Sequence, residues 1–202
     1  LQDLLSLLSH KIENPINPDN KKVIIFSAFS DTAEYLYENV SAYVKKKYGL
    51  DTAVITGSID GKTTIKGFKV TLNNVLTCFS PVSKGRNVLM PGSKAEIDIL
   101  IATDCISEGQ NLQDCDTVIN FDIQWNPVSL IQRFGRIDRI GSTNSNIQMI
   151  NFFPNMELNE YLGLEARVKG KMTTLNLVST GDEDVLTPVS YTHLTLPTNS
   201  RV

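Results

Sequence analysis

The sequence has 202 residues, 41% of them hydrophobic, and a formal net charge of −3, enough chain for one well-formed core with ragged ends. The mildly acidic balance does not announce a nucleic-acid binder, although a local basic patch is sufficient to hold phosphate. Cys78, Cys105 and Cys115 lack metal-ligand spacing and only His10 and His193 could join them, which argues against zinc and for reduced thiols in a cytoplasmic protein. No stretch approaches the roughly 18 apolar residues of a membrane span, and a signal-peptide pattern is missing at Leu1, a first residue that suggests a piece of a longer protein.

Leucines at 1, 4, 5, 7 and 8 form a helical stripe that needs a partner surface, and Pro15 and Pro18 mark a linker, so residues 1–20 read as a leading helix and linker. A domain is expected over 21–177. Val23 to Phe26 is an apolar run suited to a buried parallel strand. Asp31 with Glu34 reads as a capping box for a helix to about residue 47, stopped by Gly49, and Thr52 to Thr56 is the next strand. Strand, helix, strand in this order argues for an α/β fold with a parallel sheet.

Gly57-Ser58-Ile59-Asp60-Gly61-Lys62-Thr63 is similar to the phosphate loop of an NTPase but has three residues between its glycines where that motif has four. A phosphate nest depends on the direction of consecutive N–H groups, so this stretch is read as a turn with Lys62 available to a nucleic-acid backbone. Ile65, Phe68, Leu72, Val75, Leu76 and Phe79 can share a helical face that Pro81 ends. Residues 80–94 read as a long loop carrying Lys84, Arg86 and Lys94, either solvated or in contact with DNA. No Asp-Glu pair follows an apolar strand, so carboxylates for Mg²⁺ are missing and no metal ligand is assigned.

Ile97 to Ala102 is the most apolar strand, suited to the centre of the sheet, and it runs into Thr103, Asp104, Ser107, Gly109 and Asn111 before a further strand, Thr117 to Phe121. Polar residues beyond the carboxyl ends of parallel strands are where open α/β sheets bind ligands; the alternative is ordinary turns closed by Asx and Ser/Thr bonds. Asn126 and Pro127 then start a helix with Leu130, Ile131 and Phe134 inward, and Gly141 ends it. Gln132, Arg133 and Arg136 share one face, with Arg139 at or just beyond the end. A solvated basic face is one reading; the other is a polyphosphate site, because planar guanidinium forks pair with phosphate oxygens. Residues 147–153 supply another strand, and 157–169 a following helix. The tail, 178–202, has no persistent period, and 191–202 is kept out of the fold as a non-native end.

Gln132 to Arg139 resembles the last motif of superfamily 2 helicases, and Arg136-Ile137-Asp138-Arg139-Ile140-Gly141 resembles the Swi2/Snf2 group of double-stranded DNA translocases, its bacterial members above all. The blocks at 27–30, at 102–112 and at Trp125-Asn126-Pro127 agree in order, so the resemblance covers about residues 21–153. It implies a RecA-like open parallel sheet with helices on both faces, the second of two motor domains. ATP with Mg²⁺ would be held chiefly by the first domain, and double-stranded DNA would be the other partner. It implies catalytic roles for Arg136, Arg139 and Gln132, nucleotide contacts from Gly109, Asn111 and Arg133, and DNA contacts from Thr103, Ser107, Lys62, Lys84 and Arg86. The piece alone is expected to be inactive. The competing reading is a non-enzymatic nucleic-acid or protein interaction module that keeps only the fold.

Overall fold

A computed structural model describes residues 1–57, 61–106, 110–122, 127–139, 141–152 and 192–197. The helices are α1 Gln2–Glu13, α2 Ser30–Tyr48, α3 Leu72–Phe79, α4 Arg86–Leu89 and α5 Pro127–Phe134. The strands are β1 Val23–Phe26, β2 Thr52–Ile55, β3 Lys62–Thr63, β4 Ile99–Ala102, β5 Thr117–Asn120, β6 Asn146–Asn151 and β7 Thr192–Pro197. They form one sheet in the order β3-β2-β4-β1-β5-β6-β7, parallel from β2 to β6, with β3 and β7 antiparallel at its edges.

β1 sits at the centre because it is apolar on both faces and so must be covered on both. Successive side chains point to opposite faces. Ile24 and Phe26 therefore join Leu100, Ala102, Val118, Val75, Leu76, Phe79 and Ile137 in one core. Val23 and Ile25 join Ile99, Ile101, Ile119 and the inner faces of α1 and α2 in the other. The leucine stripe of α1 has its partner surface here: Leu4 and Leu8 are fully buried, which draws residues 1–20 into the same body as the sheet.

Buried polar groups fix that attachment. Lys11 Nζ lies 2.7 Å from Asp116 Oδ1 and donates to the Asn20 carbonyl at 2.8 Å. Asn17 Nδ2 donates to Asp116 Oδ2 at 2.8 Å, while its Oδ1 accepts from the Ser145 and Asn146 backbone amides. The segment read as a linker is thus bolted to the amino ends of β5 and β6.

Several local expectations are corrected. The N-cap of α2 is Phe29, with no side-chain cap, and Glu34 pairs with Lys62 instead of closing a capping box on Asp31. The helix expected from Ile65 begins only at Leu72, because Thr71 caps it and Gly67 turns the chain at φ +70°. Ile65, Phe68 and Val70 still reach the core, from turns. A short helix, α4, lies within the expected loop 80–94. The strand β7, within the tail kept out of the fold, lies along β6. The helix expected at 157–169 lies outside the described residues, and no described helix is long and apolar enough to cross a membrane.

Candidate functional site

Register puts Ile55, Ala102, Phe26, Asn120 and Asn151 side by side at the carboxyl ends of five parallel strands. Just beyond them, Asp122 holds the loop after β1, accepting from Ser27 Oγ at 2.7 Å and from the Ala28 amide. Thr103, 7% exposed, follows β4 and donates its amide to the Ile55 carbonyl at 3.2 Å.

Arg133 is the hub of this end. Its Nε and Nη2 meet Asp104 Oδ1 and Oδ2 at 2.7 and 2.9 Å, a two-pronged pair, and its Nη1 donates to Asn120 Oδ1 at 2.9 Å. Asn120 in turn donates to Asn151 Oδ1 at 2.7 Å, and the guanidinium lies 4.9 Å from the centre of the Phe26 ring. At 0% exposure, Arg133 spends the donors described above on Asp104 and Asn120 inside the protein. It positions the end of α5. The signal in sequence was Asn120, a polar residue ending the apolar run Thr-Val-Ile-Asn, whose need for a buried partner went unread.

The helix carrying Arg133 stops at Phe134, so Gly135 lies just past its end and not inside it. Arg136 N and Ile137 N donate back three residues, to the Arg133 and Phe134 carbonyls, and the chain tightens into turns. Gln132, Arg133 and Arg136 are consequently not one helical face. Gln132 is exposed, Arg136 is 5% exposed, and Arg139 is half-buried with its Nε on the Gly135 carbonyl at 3.3 Å. Ile137 is buried in the core and anchors the turn, and the Arg136 carbonyl accepts from Leu112 N at 3.0 Å. That bond joins the arginine turn to the loop holding Asn111, whose own Oδ1 accepts from the Gln113 amide.

The expected DNA contacts are scattered. Lys62 pairs with Glu34 on the surface; Arg86 lies 3.6 Å from Glu96 and also donates to the Ala95 carbonyl; Lys84 donates to Gln110 Oε1. Ser107 and Gly109 lie outside the described residues. Lys62 enters an antiparallel strand, where a phosphate loop would open a helix. The flanking glycines serve close packing: a Cβ on Gly61 would come within 2.8 Å of Val70 Cγ1, and one on Gly57 within 3.3 Å of Cys105 Cβ. Among the described residues no group of three or more His, Cys, Asp or Glu side chains is placed to hold a metal ion.

An open parallel sheet with polar residues at its strand ends and helices over both faces has the RecA-like α/β architecture. The family of the helicase conserved C-terminal domain matches residues 3–141, and the chain belongs to it. Over 48 residues it is 52% identical to the uncharacterized ATP-dependent helicase YqhH of Bacillus subtilis, covering 24% of this chain and 9% of that protein. Over 176 residues it is 28% identical to the ATP-dependent RNA helicase DBP8 of Scheffersomyces stipitis, covering 79% of this chain and 38% of that one. The chain thus spans well under half of either relative. The C-terminal part of the Fun30 ATPase domain superposes with a TM-score of 0.51 at 21% identity, over 81% of this chain and 44% of that one, a likeness of fold.

Proposed function

We propose that this domain is the second motor domain of a cytoplasmic, ATP-dependent double-stranded DNA translocase, working against a first RecA-like domain of the same protein. The observation that carries this reading is the division of labour among the arginines. Buried Arg133 holds the end of α5 to Asp104 and Asn120, and the turn that follows holds Arg136 and Arg139 beside the loop of Asn111. Arg136 and Arg139 would meet the phosphates of ATP across the interdomain cleft and stabilise charge developing on the transferred group, with Gln132 setting the cleft. Thr103, Ser107 and Lys62 would hold backbone phosphates, which position the duplex without reading its sequence. Lys62 can change partner cheaply, since an exposed ion pair is worth about 0–1 kcal/mol. No step is assigned to Mg²⁺; its ligands would lie on the first domain.

Duplex DNA is preferred to RNA because Arg136 to Gly141 and the Trp125-Asn126-Pro127 lead-in are similar to the Swi2/Snf2 pattern. ATP hydrolysis by the full-length protein, measured alone, with duplex DNA and with duplex RNA, tests this. Stimulation by DNA and not by RNA is the expected result. Stimulation by RNA alone would overturn the DNA assignment, and no hydrolysis under any condition would favour a non-enzymatic module.

A further inference from the structure

Three of the six exposed large hydrophobic side chains among the described residues fall on the insertion at 80–94: Val82, Val88 and Leu89, at 79%, 75% and 64% exposure. Single exposed hydrophobics are ordinary, but several gathered on one short segment call for a cover. The insertion is held in shape at both ends. At its root the Asp114 carboxylate accepts from the Val82 amide at 2.6 Å and the Ser83 amide at 2.9 Å, and further on Arg86 Nη1, in α4, donates to the Ala95 carbonyl. A surface already in place loses little freedom on binding.

Between α3 and α4 lies a cavity of about 390 Å³, ample for one bulky side chain. Leu76, Leu89 and Met90 give it apolar walls, and Asn73, Thr77 and Lys84 add polar ones. Leu89 thus belongs both to the cavity and to the exposed apolar surface. The Lys84 ammonium donates to Gln110 Oε1, a neutral acceptor that a carboxylate surpasses. Residues 80–94 include Lys84, Arg86 and Lys94 and no Asp or Glu, so the segment carries positive charge beside its exposed valines and leucine. We propose that the groove between α3 and α4 docks an acidic, amphipathic segment of a partner protein, with one bulky apolar side chain in the cavity and a flanking carboxylate on Lys84. Nucleic acid has a suitable charge, but its interfaces are polar and it offers little apolar surface to Val88 and Leu89. Lys84 then serves a protein partner instead of the DNA backbone, and nothing in this assignment depends on the arginine turn.

A random peptide library displayed on phage and selected on the 202-residue chain supplies the probe. The enriched peptide is then titrated by fluorescence anisotropy against Leu89→Ser, Lys84→Glu and, as a remote exposed control, Lys46→Gln on α2. Enriched peptides should combine Asp or Glu with Leu, Phe or Trp. Leu89→Ser should weaken binding about ten- to a hundredfold, the loss of one buried aliphatic contact. Lys84→Glu should weaken it about tenfold, and should bind more tightly than the unmodified chain a version of the peptide with each Asp and Glu changed to Lys, a reversal that a folding defect does not produce. No enrichment, a consensus without acidic residues, unchanged binding by Leu89→Ser or Lys84→Glu, or an equal loss with Lys46→Gln overturns the proposal. Binding of a short DNA duplex that falls with Leu89→Ser and Lys84→Glu while no peptide is enriched identifies nucleic acid as the occupant, and a dimer in sedimentation velocity that Leu89→Ser dissolves identifies a second copy of the chain; either also overturns it.

Discussion

Arg133 and Arg136 lie three residues apart, and on the proposed reading the first positions the end of α5 while the second meets phosphate. Arg133 is enclosed by Asp104, Asn120 and the Phe26 ring. Arg133→Ala should lose the two-pronged bond and leave Asn120 Oδ1 without that donor, costing about 2–4 kcal/mol in a denaturant titration. Arg133→Lys keeps the charge but loses the fork, and should recover less than half of that. The arginine spacing was plain in the sequence, yet which of them was buried was not, because the answer depends on residues 13 and 29 positions away. Cysteine behaviour follows the same logic of surroundings. Burial pushes the Cys115 thiol up to about 12, above its unfolded value. A raised folded value contributes stability below the unfolded pKa and loses it as pH rises, so between about pH 8.5 and about pH 11 the thiol should steepen the fall in stability. Melting curves over that range should show a shallower decline for Cys115→Ala than for the unmodified chain; identical slopes would contradict the assignment.

Among the elements, α1 shows what periodicity conveys and what it omits. The leucines at 1, 4, 5, 7 and 8 called for a partner surface, and the structure supplies it to Leu4 and Leu8 from β1, β4 and α2. The Lys11 to Asp116 pair was not legible, since a lysine in a helix and an aspartate 105 residues later carry no local sign of meeting. Lys11→Met should leave the fully buried Asp116 carboxylate with only neutral donors, Asn17 and Thr117, and cost about 3 kcal/mol in thermal unfolding. Lys46→Gln, on the exposed side of α2, should leave the midpoint where it is. The end of α5 was misplaced for a related reason. Local signals allowed the helix to run to Gly141, whereas burial of Ile137 and the bond from Leu112 to the Arg136 carbonyl turn the chain earlier.

For the molecule as a whole, the strands were the most legible feature, because Val23 to Phe26 and Ile99 to Ala102 are apolar on both faces and a parallel sheet covers both. The edges were not, since β3 pairs through only two residues and β7 lies in a segment without a periodic pattern. The site was legible as motifs but not as geometry. The arginine turn, Thr103 and Asn111 were singled out, while the buried bonds of Arg133 run on through Asn120 to Asn151, on two strands whose pairing no local pattern gives. Because the Gly57 to Thr63 stretch leads into a strand, the 202-residue chain should turn over ATP at well below about 1 s⁻¹ with saturating duplex DNA, and Lys62→Ala should not change that residual rate. The central claim, that the turn after α5 meets transferring phosphate, is tested most directly by kcat for DNA-stimulated ATP hydrolysis in the full-length protein. Arg136→Ala and Arg139→Ala should each lower it by about 10²–10³, the half-buried Arg139 with thermal unfolding nearly unchanged, because the contact acts where charge develops. Near-normal kcat for both variants would contradict the claim and leave the turn a structural element, held to the 110–114 loop through the Arg136 carbonyl.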